Sequence, residues 1–198
     1  MDEDGYICLT DFGLAKILKE GEKAYSFCGT PDYLAPEILA ETGASYPVDW
    51  WSLGILTYEM IVGFPPFYTG QANNNKMYEM IKKKAVYFPD PQRHNIAMSD
   101  DCKDFITKLL DKNANSRLGT KSGIKEVLDH PWLKDYFDQE NIMEKTIEAP
   151  MIPKLSADPL DVSQFDTVFT SEEAMVSIIP TKKVNNVINP NKKEFDNF

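Results

Sequence analysis

Apolar and polar positions alternate in several distinct ways along this chain. Tyr6-Ile7-Cys8-Leu9-Thr10 is a short run of strand formers behind an Asp4-Gly5 turn, a pattern that predicts one strand of a small hairpin. From about Asp11 to Pro47 the periodicity stops, and Gly13, Gly21, Gly29, Pro31, Pro36 and Gly43 punctuate the stretch. A loop of that length is functional or disordered more often than a mere connection. Asp49 to Val62 is apolar nearly all round, which predicts a helix buried on every side and closed by Gly63 and Pro65-Pro66. Met77 to Lys84 reads as a surface helix. Between Ser99 and Leu110, Cys102, Phe105, Ile106, Leu109 and Leu110 form one stripe at helical spacing. Ser99 is placed to cap that helix, with Asp100 and Asp101 at the positive end of its dipole. A last short helix is expected from Gly123 to His130, stopped by Pro131.

From about Ala149 the character changes. Pro150, Pro153, Pro159, Pro180 and Pro190 interrupt a segment whose large apolar residues come in pairs, Phe165/Phe169 and Phe195/Phe198. This predicts a tail held by a few anchors rather than a second domain. The fold class expected overall is mainly α, with a hairpin at the start and an irregular tail at the end.

Composition changes this picture little. The 198 residues are 42% hydrophobic and 26% charged, ordinary for a globular protein. No apolar run suits a membrane span, and Asp2, Glu3 and Asp4 stand where a signal peptide would be basic. The net charge of −10 argues against nucleic-acid partners, which need phosphate neutralisation. Three scattered cysteines and two distant histidines give neither a disulfide framework nor a zinc site, so an intracellular, cytoplasmic setting is expected. Asp2, Asp4, Gly5 and Asp11 echo part of a calcium loop, but the first ligand is missing.

The chemistry lies in the long loop. Asp11-Phe12-Gly13 opens it and Ala35-Pro36-Glu37 closes it, with Phe27-Cys28-Gly29-Thr30-Pro31-Asp32-Tyr33-Leu34 between and Asp49-Trp50-Trp51-Ser52-Leu53-Gly54 after. DFG and APE in this order bound the activation segment of protein kinases. With the tail motifs, the set resembles the AGC group of serine/threonine kinases, which includes cyclic-AMP-dependent kinase and protein kinase B. The resemblance implies an incomplete kinase C-lobe at residues 1–133 and an AGC tail at 134–198.

It also implies roles. Asp11 would hold magnesium against the ATP phosphates. Phe12 would pack as an apolar switch, and Gly13 would permit the turn. Thr30 would touch the catalytic aspartate. Ser26 would be the activation-loop phosphosite, ordered by an upstream kinase through Lys16. Glu37 would be buried against Arg117, and Asp49 would brace the catalytic loop. Asp32 and Glu59 would read basic residues upstream of the acceptor, while Phe27, Pro31 and Leu34 would seat the residue after it. In the tail, Pro150 and Pro153 would anchor, Phe165 would pass the ATP site, Ser177 would be a second phosphosite, and Phe195 and Phe198 would dock on the N-lobe.

The 198 residues contain no Gly-rich loop, no ATP-orienting lysine and no catalytic loop, which is expected just upstream of Met1. ATP and magnesium would need those groups for proper binding. The expectation is a serine/threonine kinase for basic substrates that is inactive as these residues alone, exposing apolar surface where upstream neighbours belong. The alternative is a non-catalytic module that binds substrates or regulators.

Overall fold

The computed structural model describes residues 1–70, 74–136, 139–154, 156, 158 and 160–172. Two compact units are present, Met1–Ile152 and Pro153–Phe198.

Among the described residues, the first unit contains seven α-helices. Helix α1 (Pro36–Leu39) is short and begins at a proline, whose missing N–H costs nothing there. Helix α2 (Pro47–Val62) starts the same way, two residues before the sequence pattern suggests. Gly63 ends it at φ 93°, a left-handed conformation open to glycine, and its N–H bonds to the Glu59 carbonyl. Helix α3 (Asn75–Lys83) buries Met77 and Ile81, and a one-turn α4 (Pro91–His94) follows. Helix α5 (Asp100–Leu109) is capped by Ser99, whose hydroxyl accepts from the Cys102 N–H at 3.1 Å. Helices α6 (Ile124–Leu128) and α7 (Gln139–Met143) complete the unit.

Trp51, Ile55, Tyr58, Val62, Phe67, Ile81, Ile106 and Leu110 form the main core. Gly54 lies where α2 meets α5. A Cβ on it would stand 2.8 Å from Leu110 Cδ2 and 2.9 Å from Leu109 Cβ. The missing side chain therefore lets the two helices approach closely. Phe105, Leu109, Leu118 and Val127 make a second cluster, against which Trp50 and Trp132 pack.

Three expectations need correction. Tyr6–Thr10 is not a strand, and Ile7 and Leu9 are 86% and 85% exposed. Strand formers need a neighbouring edge to pair with. Instead, Asp2 and Tyr6 close a tight turn, with the Tyr6 N–H on Asp2 Oδ1 at 2.7 Å. Helix α2 is not buried all round: Leu56 and Met60, four residues apart on one face, are 42% and 70% exposed. The stretch from Asp11 to Pro47 is more ordered than a loop. It contains 3-10 turns at Phe12–Leu14 and Pro31–Tyr33, helix α1, and an antiparallel bridge between Ala24 and Ala44.

In the second unit, Asp166 caps the one-turn helix α8 (Thr167–Thr170) by accepting from the Val168 N–H at 2.9 Å. Phe165 and Phe169 are exposed. Ser177, Phe195 and Phe198 lie outside the described residues.

Candidate active-site segment

Asp11 enters the segment with φ 59°, an uncommon conformation for a residue with a side chain. It is held by its own carboxylate, whose Oδ1 accepts from the Gly13 N–H at 3.3 Å. The other oxygen has no partner among the described residues. An exposed carboxylate oxygen is the hard ligand that magnesium takes one or two of, beside substrate phosphates, so Asp11 fits as a single ligand. The described residues hold no group of three or more metal-ligating side chains. Phe12, expected to be packed, is 68% exposed.

The middle of the segment is tied to the chain leading into α2. Ala24 and Ala44 exchange both backbone hydrogen bonds, at 2.9 and 2.8 Å. The Lys23 ammonium donates to the Thr42 carbonyl at 3.1 Å, and the Tyr46 hydroxyl donates to the Leu18 carbonyl. Lys16 pairs with Glu22 Oε1 at 2.9 Å. That hydrogen bond, then the one from the Lys19 N–H, pulls the Glu22 carboxyl below its usual range. Ser26 and Thr30 are exposed, and their hydroxyls have no partner among the described residues.

The end of the segment is fixed far more firmly. Arg117 is wholly buried and donates to both Glu37 oxygens, Nη1 to Oε1 at 2.7 Å and Nη2 to Oε2 at 2.9 Å. Two further donors, the second Nη1 N–H and Nε, reach the Pro47 carbonyl at 2.7 Å and the Asp111 carbonyl at 3.1 Å. A buried charge is tolerable when it is paired and most of its donors are engaged, here four of five. Just upstream, the Tyr33 hydroxyl donates to Glu59 Oε2 at 2.5 Å. Burial, and then that carboxylate, push the Tyr33 phenol up to about 12.

Leu34 is buried, Pro31 and Asp32 are half-buried, and Phe27 meets Tyr78 edge-on with centroids 6.3 Å apart. Pro31, Asp32 and Leu34 therefore share one short ledge with Tyr33, next to Glu59. Asp49 lies exposed in the first turn of α2.

The comparisons with known proteins fit this geometry. The family profile described as Protein kinase domain matches residues 1–133. The chain belongs to the protein kinase family. A second profile, described as Protein kinase C terminal domain, matches residues 157–198, and the pair assigns this kinase chain to the AGC group of serine/threonine kinases. It is 42% identical to Protein kinase 2 of Dictyostelium discoideum, over 91% of this chain and 36% of that protein. To the serine/threonine-protein kinase gad8 of Schizosaccharomyces pombe it is 41% identical, over 90% of this chain and 30% of that one. To sgk-1 of Caenorhabditis elegans it is 36% identical over all of this chain and 40% of the relative. The kinase chain thus spans about a third of the length of these relatives. Among the described residues, no helix is long and apolar enough to cross a membrane.

Sequence reasoning missed three members of the site. Tyr33 stands inside a quoted motif without a role. Glu22 stands in the loop as one charge among several. Lys112 lines a cleft of about 630 Å³ between the segment and the loop after α5. Its ammonium lies 4.1 Å from the Phe67 ring centroid and 4.7 Å from that of Trp51. It has no hydrogen-bond acceptor among the described residues. Burial, and then Arg117, push it down to about 8.

Proposed function

We propose that this chain supplies the activation segment and helical lobe of a kinase that transfers the γ-phosphoryl group of ATP to serine or threonine of basic protein substrates. The observation that carries the reading is the double fastening of the Pro31–Glu37 ledge, Tyr33 on Glu59 and Glu37 on Arg117. Phosphoryl transfer depends on positioning and charge stabilisation more than on covalent help from the protein. A ledge locked at both ends is the kind of support that a substrate peptide needs.

On this reading Asp11 would contribute one oxygen to magnesium, which would offset the charge of the ATP phosphates, with ATP as the phosphoryl donor and ADP as the leaving group. Thr30 orients the acceptor hydroxyl. Asp32 and Glu59 receive cationic side chains upstream of the acceptor. Glu59 is held in orientation by Tyr33 and keeps its second oxygen for that purpose. Phe27, Pro31 and Leu34 seat an apolar residue after the acceptor. Ser26 is the activation phosphosite for an upstream kinase. Residues 1–133 form the lobe portion and 134–198 the tail, in which Phe165, Ser177, Phe195 and Phe198 serve docking and regulation. The 198 residues by themselves do not turn over.

The test joins these residues to the upstream part of Protein kinase 2 and assays an arginine-containing peptide with magnesium and ATP. Turnover in the joined protein, abolished by Asp11→Ala and absent from the 198 residues alone, is expected. No turnover in a folded joined protein that still binds the peptide would replace the enzymatic reading with a binding module.

A further inference from the structure

The Lys112 ammonium is out of solvent and has no hydrogen-bond acceptor among the described residues. Its surroundings are aromatic instead. Nζ lies 4.1 Å from the Phe67 ring centroid and 4.7 Å from that of Trp51. The two rings are stacked, 7° from parallel with centroids 6.0 Å apart. Arg117 brings a second cation to the same wall, with Cζ 5.2 Å from the Trp51 centroid. The adjacent carboxylate, Asp111, is spent on the Ser116 hydroxyl at 2.7 Å and the Asn113 N–H at 2.9 Å.

An ammonium carries three N–H donors, and each costs free energy when it is buried unpaired. The rings attract its charge but offer no oxygen or nitrogen to accept from it. Burial, followed by the Arg117 charge, holds the amine at a pKa of about 8. At pH 7 the side chain therefore has about 200 times as much of the neutral, nucleophilic form as an ordinary lysine.

We propose that Lys112 is a covalent capture site for a short-chain apolar aldehyde, held as an imine against Trp51 and Phe67. Neutral Nζ attacks the carbonyl carbon, and an amine proton passes to the carbonyl oxygen. The carbinolamine so formed loses water and leaves a C=N bond. The balance is amine plus aldehyde to imine plus water, with nothing oxidised or reduced. The product suits this site better than the ammonium does. A neutral imine has no N–H left to satisfy, and its protonated form has one in place of three. The protonated form also keeps its positive charge beside the rings. The alkyl chain of the aldehyde adds apolar contact to an aromatic wall, and exclusion of water slows hydrolysis of the imine. The cleft of about 630 Å³ that Lys112 lines, with Tyr46 and Trp50 among its walls, gives a small molecule room to approach. The capture draws on none of the residues assigned to phosphoryl transfer.

The experiment incubates the full chain with butanal near pH 7, reduces the imine with cyanoborohydride and reads each lysine by peptide mass spectrometry. Two exposed lysines serve as references, Lys23 in the same cleft and Lys121 just beyond it. Lys112 is expected to carry the butyl group about tenfold ahead of both. That lead should shrink near pH 10, where ordinary lysines also lose their protons. Without the reductant, butanal should raise the unfolding midpoint of the parent, because the folded state alone holds the adduct. Lys112→Arg keeps the charge, cannot form the imine and should abolish the rise. Labelling of Lys112 no faster than Lys23 and Lys121, in a chain whose helices persist by circular dichroism, would overturn the proposal. So would a midpoint rise that survives Lys112→Arg. The labelling comparison is made in the parent and does not depend on how well the variant folds.

Discussion

Arg117 grips Glu37 through two hydrogen bonds of 2.7 and 2.9 Å while wholly out of solvent, joining residues eighty positions apart. The pair ties the end of the activation segment to the loop after α5. Its worth lies less in Coulomb energy than in what happens when one partner is removed.

Arg117→Met leaves Glu37 unpaired and the Pro47 and Asp111 carbonyls without their donor. Breaking a buried pair costs about 3–5 kcal/mol. Thermal or urea unfolding should show a loss of that order. The reversed pair, Glu37→Arg with Arg117→Glu, should not restore it, because a carboxylate at 117 cannot donate to the two carbonyls. Full rescue by the reversal would contradict this account.

The Tyr33–Glu59 bond has a pH signature. The folded phenol sits at about 12, above the value near 10 of an unfolded tyrosine. The folded state therefore binds the extra proton between these values. The stability it contributes is whole below pH 10 and drains away as pH rises towards 12. Tyr33→Phe should cost about 1 kcal/mol at pH 7 and flatten the alkaline limb of the stability profile. A limb of unchanged slope in that variant would refute the assignment.

Lys112 works in the other direction. Its folded pKa of about 8 lies below the unfolded value near 10.4, so between them the unfolded chain holds more protons. Stability should rise with pH through that window and be lowest, from this group, below pH 8. Lys112→Met keeps the stem against Trp51 and Phe67 and removes the buried charge. It should gain about 1 kcal/mol at pH 7, a figure discounted for the partly solvated side chain. Calorimetry showing a lower midpoint would mean that the aromatic contacts outweigh dehydration.

Gly119 carries φ 91°, and a Cβ there would stand 2.6 Å from the Trp50 ring. Gly119→Ala combines backbone strain with overpacking, each costing about 1–3 kcal/mol. Loss of stability is expected, along with a shift in tryptophan fluorescence as Trp50 moves. An unchanged spectrum and midpoint would show that the loop absorbs the methyl group.

Helices α2, α3, α5 and α6 were legible because their signals are local, whereas α1, α4, α7 and α8, of four or five residues each, are too short to show a period. Ser99 caps α5 by the bond its position suggests, and the Cys102–Leu110 stripe is the buried face. Glu37 and Arg117 could be named together because their motifs imply a shared contact, although eighty residues of chain separate them. Tyr6–Thr10 misled because strand propensity describes residues that suit a partner edge and cannot supply that edge. Leu56 and Met60 misled for a related reason: an apolar residue reports compatibility with burial, while exposure depends on what is packed beside it. Tyr33 was invisible as a hydrogen-bond donor because its partner lies on α2, twenty-six residues away. Lys112 gave no signal at all, since a lysine beside Asp111 looks like any solvated charge until the fold turns it towards two rings.

Gly54 sets the spacing of α2 and α5 by what it lacks. Its contacts are the side chain of Leu110 and the β-carbon of Leu109, so the volume there is shared between two helices. A methyl group gained at 54 must be offset by bulk lost at 110, where the contact is side chain, since at 109 it reaches the β-carbon itself. Among descendants of this sequence, positions 54 and 110 should therefore change together, small against large.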